Sequence, residues 1–176
     1  MKERVEVLIS AEDVDKRVAE LAEEISRDYA GKEIFMICIL KGSVIFMAEL
    51  AKKLKHDVTF NFMKVSSYGN ATESSGRIKI DMDLDEHIKG KDVLIIEDIV
   101  DTGRTLKEVT RLMYNKGASS VKVVSLLDKT DRRIFQMFFR KLCEKINTQQ
   151  EVLMSYEVYM HGQVLGSHIF KLQGEF

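Results

Sequence analysis

Two hydrophobic patterns alternate along the first three-quarters of the chain. In the first, apolar residues recur every three or four positions, which predicts amphipathic helices; three segments show it, at residues 11–29, 44–54 and 106–116. Ser10, with Asp13 three residues later, resembles the start of the first helix. In the second, apolar residues form short uninterrupted runs, which are typical of strands buried on both faces of a sheet; these runs lie at 34–40, 93–96 and 121–127. The alternation predicts an α/β fold with a mainly parallel sheet flanked by helices.

Two further strands of a different type flank a polar segment. Val58, Phe60 and Phe62 alternate with polar neighbours, and so do the residues from Ile78 to Leu84. Residues 69–76 (GNATESSG) are small and polar without any periodicity, which predicts a mobile loop. No repeat, linker or low-complexity tract divides the chain, so we expect a single domain over residues 1–176.

The C-terminal segment, residues 134–176, continues with other patterns. An amphipathic helix is predicted by the spacing of Ile134, Phe135, Phe138, Phe139, Leu142 and Ile146. Alternating apolar residues from Val152 to Met160 predict a strand, followed by a turn at His161-Gly162. Core packing accounts for the aromatic residues of this segment.

Composition narrows the range of partners. Apolar residues make up 45% of the chain, and the formal net charge is −1, so no general field attracts nucleic acid or an anionic membrane. We therefore expect neither nucleic acid nor a membrane as a partner. The first ten residues, MKERVEVLIS, lack the layout of a signal peptide, and the two cysteines, Cys38 and Cys143, are far apart in sequence. These features predict a cytoplasmic protein.

Residues 93–105 (VLIIEDIVDTGRT) carry the strongest chemical signal. An apolar strand runs into two adjacent carboxylates, Glu97 and Asp98, and the segment Asp101–Thr105 then opens a helix. A strand-to-helix turn presents backbone N–H groups and the positive end of a helix dipole, which together favour a phosphate group. Gly103 lets the backbone approach the anion closely, and nearby threonine hydroxyls add hydrogen-bond donors. The pattern indicates a phosphate-binding turn at the carboxyl edge of the sheet.

A purely structural interpretation of the same residues stays open. Asp101 or Thr102 could cap the following helix, because Asp and Thr are common N-cap residues. Glu97 and Asp98 could be solvated residues at a strand end. Paired carboxylates directly after an apolar run are nevertheless costly unless they meet a cation or hydroxyl groups.

The whole segment resembles the phosphoribosyl pyrophosphate motif of the type I phosphoribosyltransferases. Three more segments resemble the hypoxanthine-guanine branch of that family: residues 40–43 (LKGS) its pyrophosphate loop, 66–69 (SSYG) the start of its flexible active-site loop, and 125–129 (SLLDK) its purine-binding strand end. The resemblance covers roughly residues 5–133. It implies a type I phosphoribosyltransferase fold with a small hood, and purine salvage in which hypoxanthine or guanine receives the phosphoribosyl group, giving IMP or GMP and pyrophosphate.

The resemblance also implies roles for individual residues. The main chain of Lys41 and Gly42 grips pyrophosphate, with a cis peptide bond between these two residues. Glu97 and Asp98 hold the ribose hydroxyls, directly or through Mg²⁺, which prefers oxygen ligands. Asp101 is the general base that takes the proton from the purine ring nitrogen.

The remaining implied roles concern the phosphate, the base and assembly. The 5′-phosphate lies in the turn formed by Asp101, Thr102, Gly103, Arg104 and Thr105. Lys129 donates to the 6-oxygen of hypoxanthine or guanine and so rejects adenine. Ser67 and Tyr68 belong to the flexible loop that closes over the site. A homodimer or homotetramer is implied, with Phe46 and Met47 on a helix between subunits.

After Arg133 the resemblance stops. The Leu-Asp-Tyr strand with which the family covers the purine is absent, and the chain contains no proline. Two alternatives to the enzyme therefore stay open: a nucleotide-binding regulator of the same fold, and a non-catalytic homologue. Lys41-Gly42 and Asp128-Lys129 favour the enzyme, and the net charge offers no basic surface for RNA.

Overall fold

The computed structural model describes residues 10–67, 78–128, 140–143, 153–160 and 163–171. Its helices are α1 (Ala11–Asp28), α2 (Val44–Lys53) and α3 (Arg104–Asn115). Its strands are β1 (Ile34–Ile39), β2 (Val58–Ser67), β3 (Ile78–Met82), β4 (Asp92–Val100), β5 (Ser120–Asp128), β6 (Arg140–Cys143), β7 (Leu153–Met160) and β8 (Gln163–Lys171). The predicted order of helices and strands through β5 is confirmed.

Six of the strands form one sheet in the order β3-β2-β1-β4-β5-β6. Only β3 runs antiparallel to its neighbour, and the other neighbouring pairs are parallel. The chain leaves β1 towards β2 on one side and returns to β4 on the other side of β1. Such a reversal of strand order opens a crevice at the carboxyl ends of the two central strands, where open α/β sheets bind their ligands.

Helices cover both faces of this sheet. The side chains of β1 alternate between two cores, with Ile34, Met36 and Cys38 facing α1 and α2. Phe35, Ile37 and Ile39 pack in the other core, which contains the buried face of α3. Burial on both faces explains why β1 is an uninterrupted apolar run, as expected for a central parallel strand.

The first helix begins where its capping residue predicts. The backbone N–H of Asp13 donates to Ser10 Oγ over 3.1 Å, so Ser10 is the N-cap of α1. Val14, Val18, Leu21, Ala22 and Ile25 form the buried face of the helix.

The helix predicted from Ile134 to Ile146 is wrong where the structure describes it. Arg140–Cys143 is instead strand β6, which extends the sheet parallel to β5. Short apolar segments fit both periodicities, and the exposed edge of β5 offers backbone groups that a strand can pair. The predicted strand from Val152 to Met160 is confirmed as β7, which pairs with β8 in a separate antiparallel sheet. The predicted turn at 161–162 lies outside the described residues.

Phe46 and Met47 are buried in the core of the chain itself, and the packing of their helix between subunits stays a prediction. Their exposed fractions are 1% and 4%, and both belong to the core between the sheet, α1 and α2. They lie on the side of α2 that faces its own sheet, which leaves Ile45 as an exposed apolar residue of that helix. In the described parts of the chain, no helix has the length and apolar character needed to cross a membrane.

Candidate active site

A cavity of about 320 Å³ opens at the carboxyl ends of β1 and β4, where the strand order reverses. It brings together most of the residues predicted to bind the substrate: Lys41, Gly42, Glu97, Asp98, Asp101, Thr102, Gly103 and Thr105. Arg104, which begins α3, is not among the residues that line it. The parallel pairing of β1 with β4 explains the meeting of these distant segments, because both strands end at the same edge.

The closest approach in the site joins Gly42 to Asp98. A β-carbon placed on Gly42 would lie 1.5 Å from Asp98 Oδ2 and 2.5 Å from Asp98 Cγ, so only glycine fits at this position. The other oxygen of Asp98, Oδ1, accepts a hydrogen bond of 2.7 Å from the backbone N–H of Ile99. The carboxylate is therefore held between the segment after β1 and its own strand end.

The segment after β1 contains a cis peptide bond, but not at the predicted place. The bond joins Leu40 to Lys41, whereas the resemblance implied the bond between Lys41 and Gly42. Neither bond involves proline, so the residues themselves do not mark which one is cis. The backbone N–H of Leu40 donates to the carbonyl of Met63 on β2 over 2.8 Å, and the side chain of Lys41 is exposed.

Glu97 is a buried acid at the inner wall of the cavity. Its side chain is 9% exposed, and its Oε1 accepts a hydrogen bond of 3.2 Å from the backbone N–H of Asp98. Burial, and then the neighbouring Asp98 carboxylate, raise the pKa of Glu97 well above its usual range. A cation in the cavity would favour the charged form, so the electrostatics of this pair match a metal-binding role.

The donor set also fits Mg²⁺ in particular. Glu97 and Asp98 supply carboxylate oxygens, which are the ligands that Mg²⁺ prefers. Within the described residues, no group of three or more acidic, histidine or cysteine side chains could hold a metal by itself. Mg²⁺ usually takes one or two protein carboxylates and completes its shell with water and substrate phosphates.

The turn between β4 and α3 brings a helix N-terminus to the cavity through a glycine. The N-cap of α3 is Gly103, at φ +81°, and the backbone N–H of Arg104, the first residue of the helix, donates to Thr102 Oγ1 over 3.4 Å. A residue with a side chain is strained at this φ, whereas glycine adopts it readily. The helix N-terminus therefore faces the cavity through a backbone turn, which is a favourable site for phosphate. The Oδ1 atom of Asp101 is buried in the same turn.

Of the three remaining predicted site residues, the structure describes only one. Ser67 is the last residue of β2, while Tyr68 and Lys129 lie outside the described residues. Strand β5 ends at Asp128, which pairs in register with Val100 of β4 and is buried. The backbone thus carries β5 to the edge of the sheet that holds the cavity.

Sequence reasoning missed two buried serines beside the site. Ser43 and Ser125 are each fully buried, and both hydroxyls donate to main-chain carbonyls near the cavity. Ser125 lies opposite Glu97 in the pairing of β4 with β5. Both serines lie in segments that carry the family resemblance, 40–43 and 125–129, but the resemblance implied no separate role for either of them.

Comparisons with known proteins agree with this geometry. A family model described as the phosphoribosyl transferase domain matches residues 9–159. The hypoxanthine-guanine phosphoribosyltransferase of Streptococcus thermophilus is 44% identical over 142 residues, which make up 81% of this chain and 79% of that protein. The Staphylococcus aureus enzyme of the same name is 45% identical over 128 residues, or 73% of this chain and 72% of that protein.

A solved structure extends the agreement to three dimensions. A hypoxanthine-guanine phosphoribosyltransferase from Bacillus anthracis superposes with a TM-score of 0.76 at 40% sequence identity, and the match covers 80% of this chain and 84% of that one. The type I phosphoribosyltransferase fold is therefore confirmed. The chain belongs to the phosphoribosyltransferase family, in its hypoxanthine-guanine branch.

Proposed function

We propose that the protein salvages purines by transferring the 5-phosphoribosyl group from phosphoribosyl pyrophosphate to hypoxanthine or guanine, which gives IMP or GMP and pyrophosphate. One observation carries the proposal: the segment Lys41-Gly42, the carboxylates Glu97 and Asp98, and the turn 101–105 meet in one cavity. Such a cavity offers separate places for two phosphate groups with a sugar between them.

The two phosphate ends of the substrate have different binding groups. The turn 101–105 holds the 5′-phosphate through backbone N–H groups, threonine hydroxyls and the helix dipole. The main chain at Lys41 and Gly42 holds the pyrophosphate. Gly42 is exposed, and the Asp98 carboxylate occupies the space that a side chain at this position would need.

Glu97 and Asp98 hold the ribose hydroxyls and, through oxygen ligation, Mg²⁺. Glu97 and Asp98 would hold the ion, which would supply positive charge to the leaving pyrophosphate. The burial of Glu97 gives the pair its preference for a cation, since its charged form is otherwise unfavourable.

The bond change takes place at the anomeric carbon of the ribose. The purine ring nitrogen forms a bond to this carbon as the bond to pyrophosphate breaks, and the proton of that nitrogen passes to the Asp101 carboxylate. Positive charge develops on the sugar, so water must be kept away. Ser67, Tyr68 and the following loop are proposed as the lid. Lys129 is proposed to donate to the 6-oxygen of the base.

The regulator and the non-catalytic homologue are not favoured. The cavity is lined by the residues that an enzyme needs, including Asp101. A regulator also binds the substrate, so the decisive measurement is product formation. Phosphoribosyl pyrophosphate, Mg²⁺ and one nucleobase at a time should release pyrophosphate with hypoxanthine or guanine. Release must depend on the base, and binding without release would contradict the proposal.

Self-association and a cytoplasmic location remain part of the proposal. Phe46 and Met47 are buried, but other apolar residues can take part in a contact between copies, since Phe60 and Phe62 of β2 are exposed to 46% and 38%. We expect a dimer or tetramer at micromolar concentration in sedimentation experiments. A monomer under these conditions would contradict it.

A further inference from the structure

Ser43 follows Gly42 directly and uses its side chain in an unusual way. It is the N-cap residue of α2, yet its hydroxyl makes no capping hydrogen bond. The fully buried Oγ instead points back and donates to the carbonyl of Ile39, the last residue of β1, over 2.6 Å. The hydroxyl therefore closes the segment 40–42 at its base.

A second buried group completes a short hydrogen-bond chain. Cys38 Sγ lies 3.1 Å from Ser43 Oγ, and both residues are fully buried. The carbonyl of Ile39 can only accept, so the Ser43 hydroxyl must donate to it, and its oxygen is left to accept from the Cys38 thiol. Burial raises the pKa of this thiol, which agrees with a protonated donor. The order of donation is Cys38 to Ser43 to Ile39.

This chain acts on the residues that face the substrate. Only Leu40, Lys41 and Gly42 lie between Ile39 and Ser43, which the hydrogen bond joins, and Gly42 has no free space on the side of Asp98. A displacement of about 1 Å in a substrate-positioning group can cost about a hundredfold in rate. The position of the loop is therefore sensitive to whatever holds its ends.

We propose that Ser43 and Cys38 are positioning residues, whose hydrogen-bond chain holds the main chain of residues 40–42 in place for the pyrophosphate end of the substrate. The proposal rests on the proposed function for the identity of that substrate. If the two residues only stabilised the core, their loss would reduce the amount of folded enzyme. It would not change the affinity of the folded enzyme for one substrate.

Substitutions at the two positions separate these roles. Ser43→Ala removes both hydrogen bonds, and we expect the KM for phosphoribosyl pyrophosphate to rise about tenfold while the KM for hypoxanthine stays within twofold. Cys38→Ala leaves the bond to Ile39 in place and should give a smaller rise in the same constant. Cys38→Ser keeps a donor next to Ser43 and should restore the wild-type KM.

Ser120→Ala provides the matched control. It also removes a serine hydroxyl that makes a hydrogen bond, here to Asp92, but at the opposite end of the sheet from the cavity. We expect it to lower the melting temperature without changing either KM. If Ser43→Ala and Cys38→Ala likewise lower only the melting temperature, the positioning role is overturned. If Ser43→Ala does not fold, the test is made at Cys38: the KM for phosphoribosyl pyrophosphate should rise in Cys38→Ala and return to the wild-type value in Cys38→Ser.

Hydrogen exchange tests the same role without catalysis. In the wild-type protein the backbone amides of residues 41–43 should exchange more slowly than in Ser43→Ala, and Ser120→Ala should leave them unchanged. Equal exchange rates in the wild type and in Ser43→Ala would show that the hydrogen-bond chain does not hold residues 40–42 in place. If the wild-type protein forms no nucleotide, the proposed function fails, but this measurement still decides whether the chain holds the loop.

Discussion

The carboxylate of Asp98 lies so close to Gly42 that any side chain at position 42 would overlap it. The nearest separation, from a β-carbon on Gly42 to Asp98 Oδ2, would be only 1.5 Å. Gly42 follows β1, and Asp98 lies in the neighbouring parallel strand β4, so the contact depends on the strand order of the sheet. It fixes the distance between the proposed pyrophosphate loop and the proposed metal-binding pair.

Gly42→Ala should therefore disrupt the site. Either the loop or Asp98 must move, and we expect kcat/KM to fall about a hundredfold or more, with a loss of about 1–3 kcal/mol in the free energy of unfolding from overpacking. In an Asp98→Ala background the same substitution meets only the β-carbon at 3.2 Å, so most of its stability cost should disappear. Steady-state kinetics and denaturant unfolding measure both effects.

Gly90→Ala is the control for this experiment. Gly90 has φ +77° and open space around a β-carbon, so alanine there costs backbone strain of about 1–2 kcal/mol without a clash. We expect it to lower stability and leave kcat/KM unchanged. An active Gly42→Ala enzyme of normal stability would show that the loop is freer than the contact implies.

Asp101→Asn tests the proposed general base. Asparagine keeps the size of the side chain but cannot take up the purine proton, and general base catalysis typically supplies about 10²–10⁴-fold. The kcat should fall on that order, while calorimetry should show that phosphoribosyl pyrophosphate still binds. Asp85→Asn, a substitution of an exposed aspartate, serves as the control and should be silent. Undiminished turnover in Asp101→Asn would remove Asp101 from this role.

Local pattern predicted most of the fold because its main elements are marked by their own residues. The periodicity of α1 and its Ser10 cap are both local, and the structure confirms both. Strand β4 shows the limit: its apolar run ends at Ile96, but the strand continues through Glu97 and Asp98 to Val100. Pairing with β5 extends it, since tertiary context overrides the preference of acidic residues for other conformations.

The candidate site likewise has one part that could be predicted from the sequence and another that could not. Residues 93–105 could be found because strand, acids and turn are contiguous in the sequence. The contact of Gly42 with Asp98 could not, because it depends on which strands are neighbours. The hydrogen bond from Ser43 back to Ile39 depends on the path of a turn, and the edge of β5 made Arg140–Cys143 a strand where the residues alone predicted a helix.

The burial of Glu97 predicts a pH dependence of stability in the metal-free protein. Its pKa is raised in the folded state, so the folded protein retains this proton at pH values where the unfolded chain has lost it. Stability should therefore fall as the pH rises from the ordinary glutamate pKa through the raised value. Glu97→Gln removes this contribution, so its melting temperature should exceed that of the wild type at neutral pH and approach it at about pH 4.

Ligand binding should act in the opposite direction and favour the wild type. Phosphoribosyl pyrophosphate with Mg²⁺ should raise the melting temperature of the wild type by more than that of Glu97→Gln, since only the wild type supplies both carboxylates. Excess chelator should abolish activity and reduce that shift. Thermal melts at two pH values, with and without ligand, give all four comparisons. A difference between wild type and variant that does not change with pH would show that Glu97 titrates normally.

Base choice should follow from Lys129. A lysine that donates to the 6-oxygen is left facing another donor when adenine binds, and a buried polar mismatch costs about 1–3 kcal/mol, which is roughly tenfold to a hundredfold in kcat/KM. We therefore expect hypoxanthine and guanine to be used better than adenine. The tail lacks the Leu-Asp-Tyr strand, and aromatic stacking contributes about 0.5–1.5 kcal/mol beyond burial, so the KM for the base should be high.

Lys129→Ala should flatten the preference for hypoxanthine and guanine over adenine and leave the KM for phosphoribosyl pyrophosphate nearly unchanged. Lys122→Ala removes an exposed lysine of β5 that pairs with Asp28, and it should leave the preference intact. If the wild type uses adenine best, Lys129 does not select the base and the assignment of hypoxanthine and guanine as substrates is wrong.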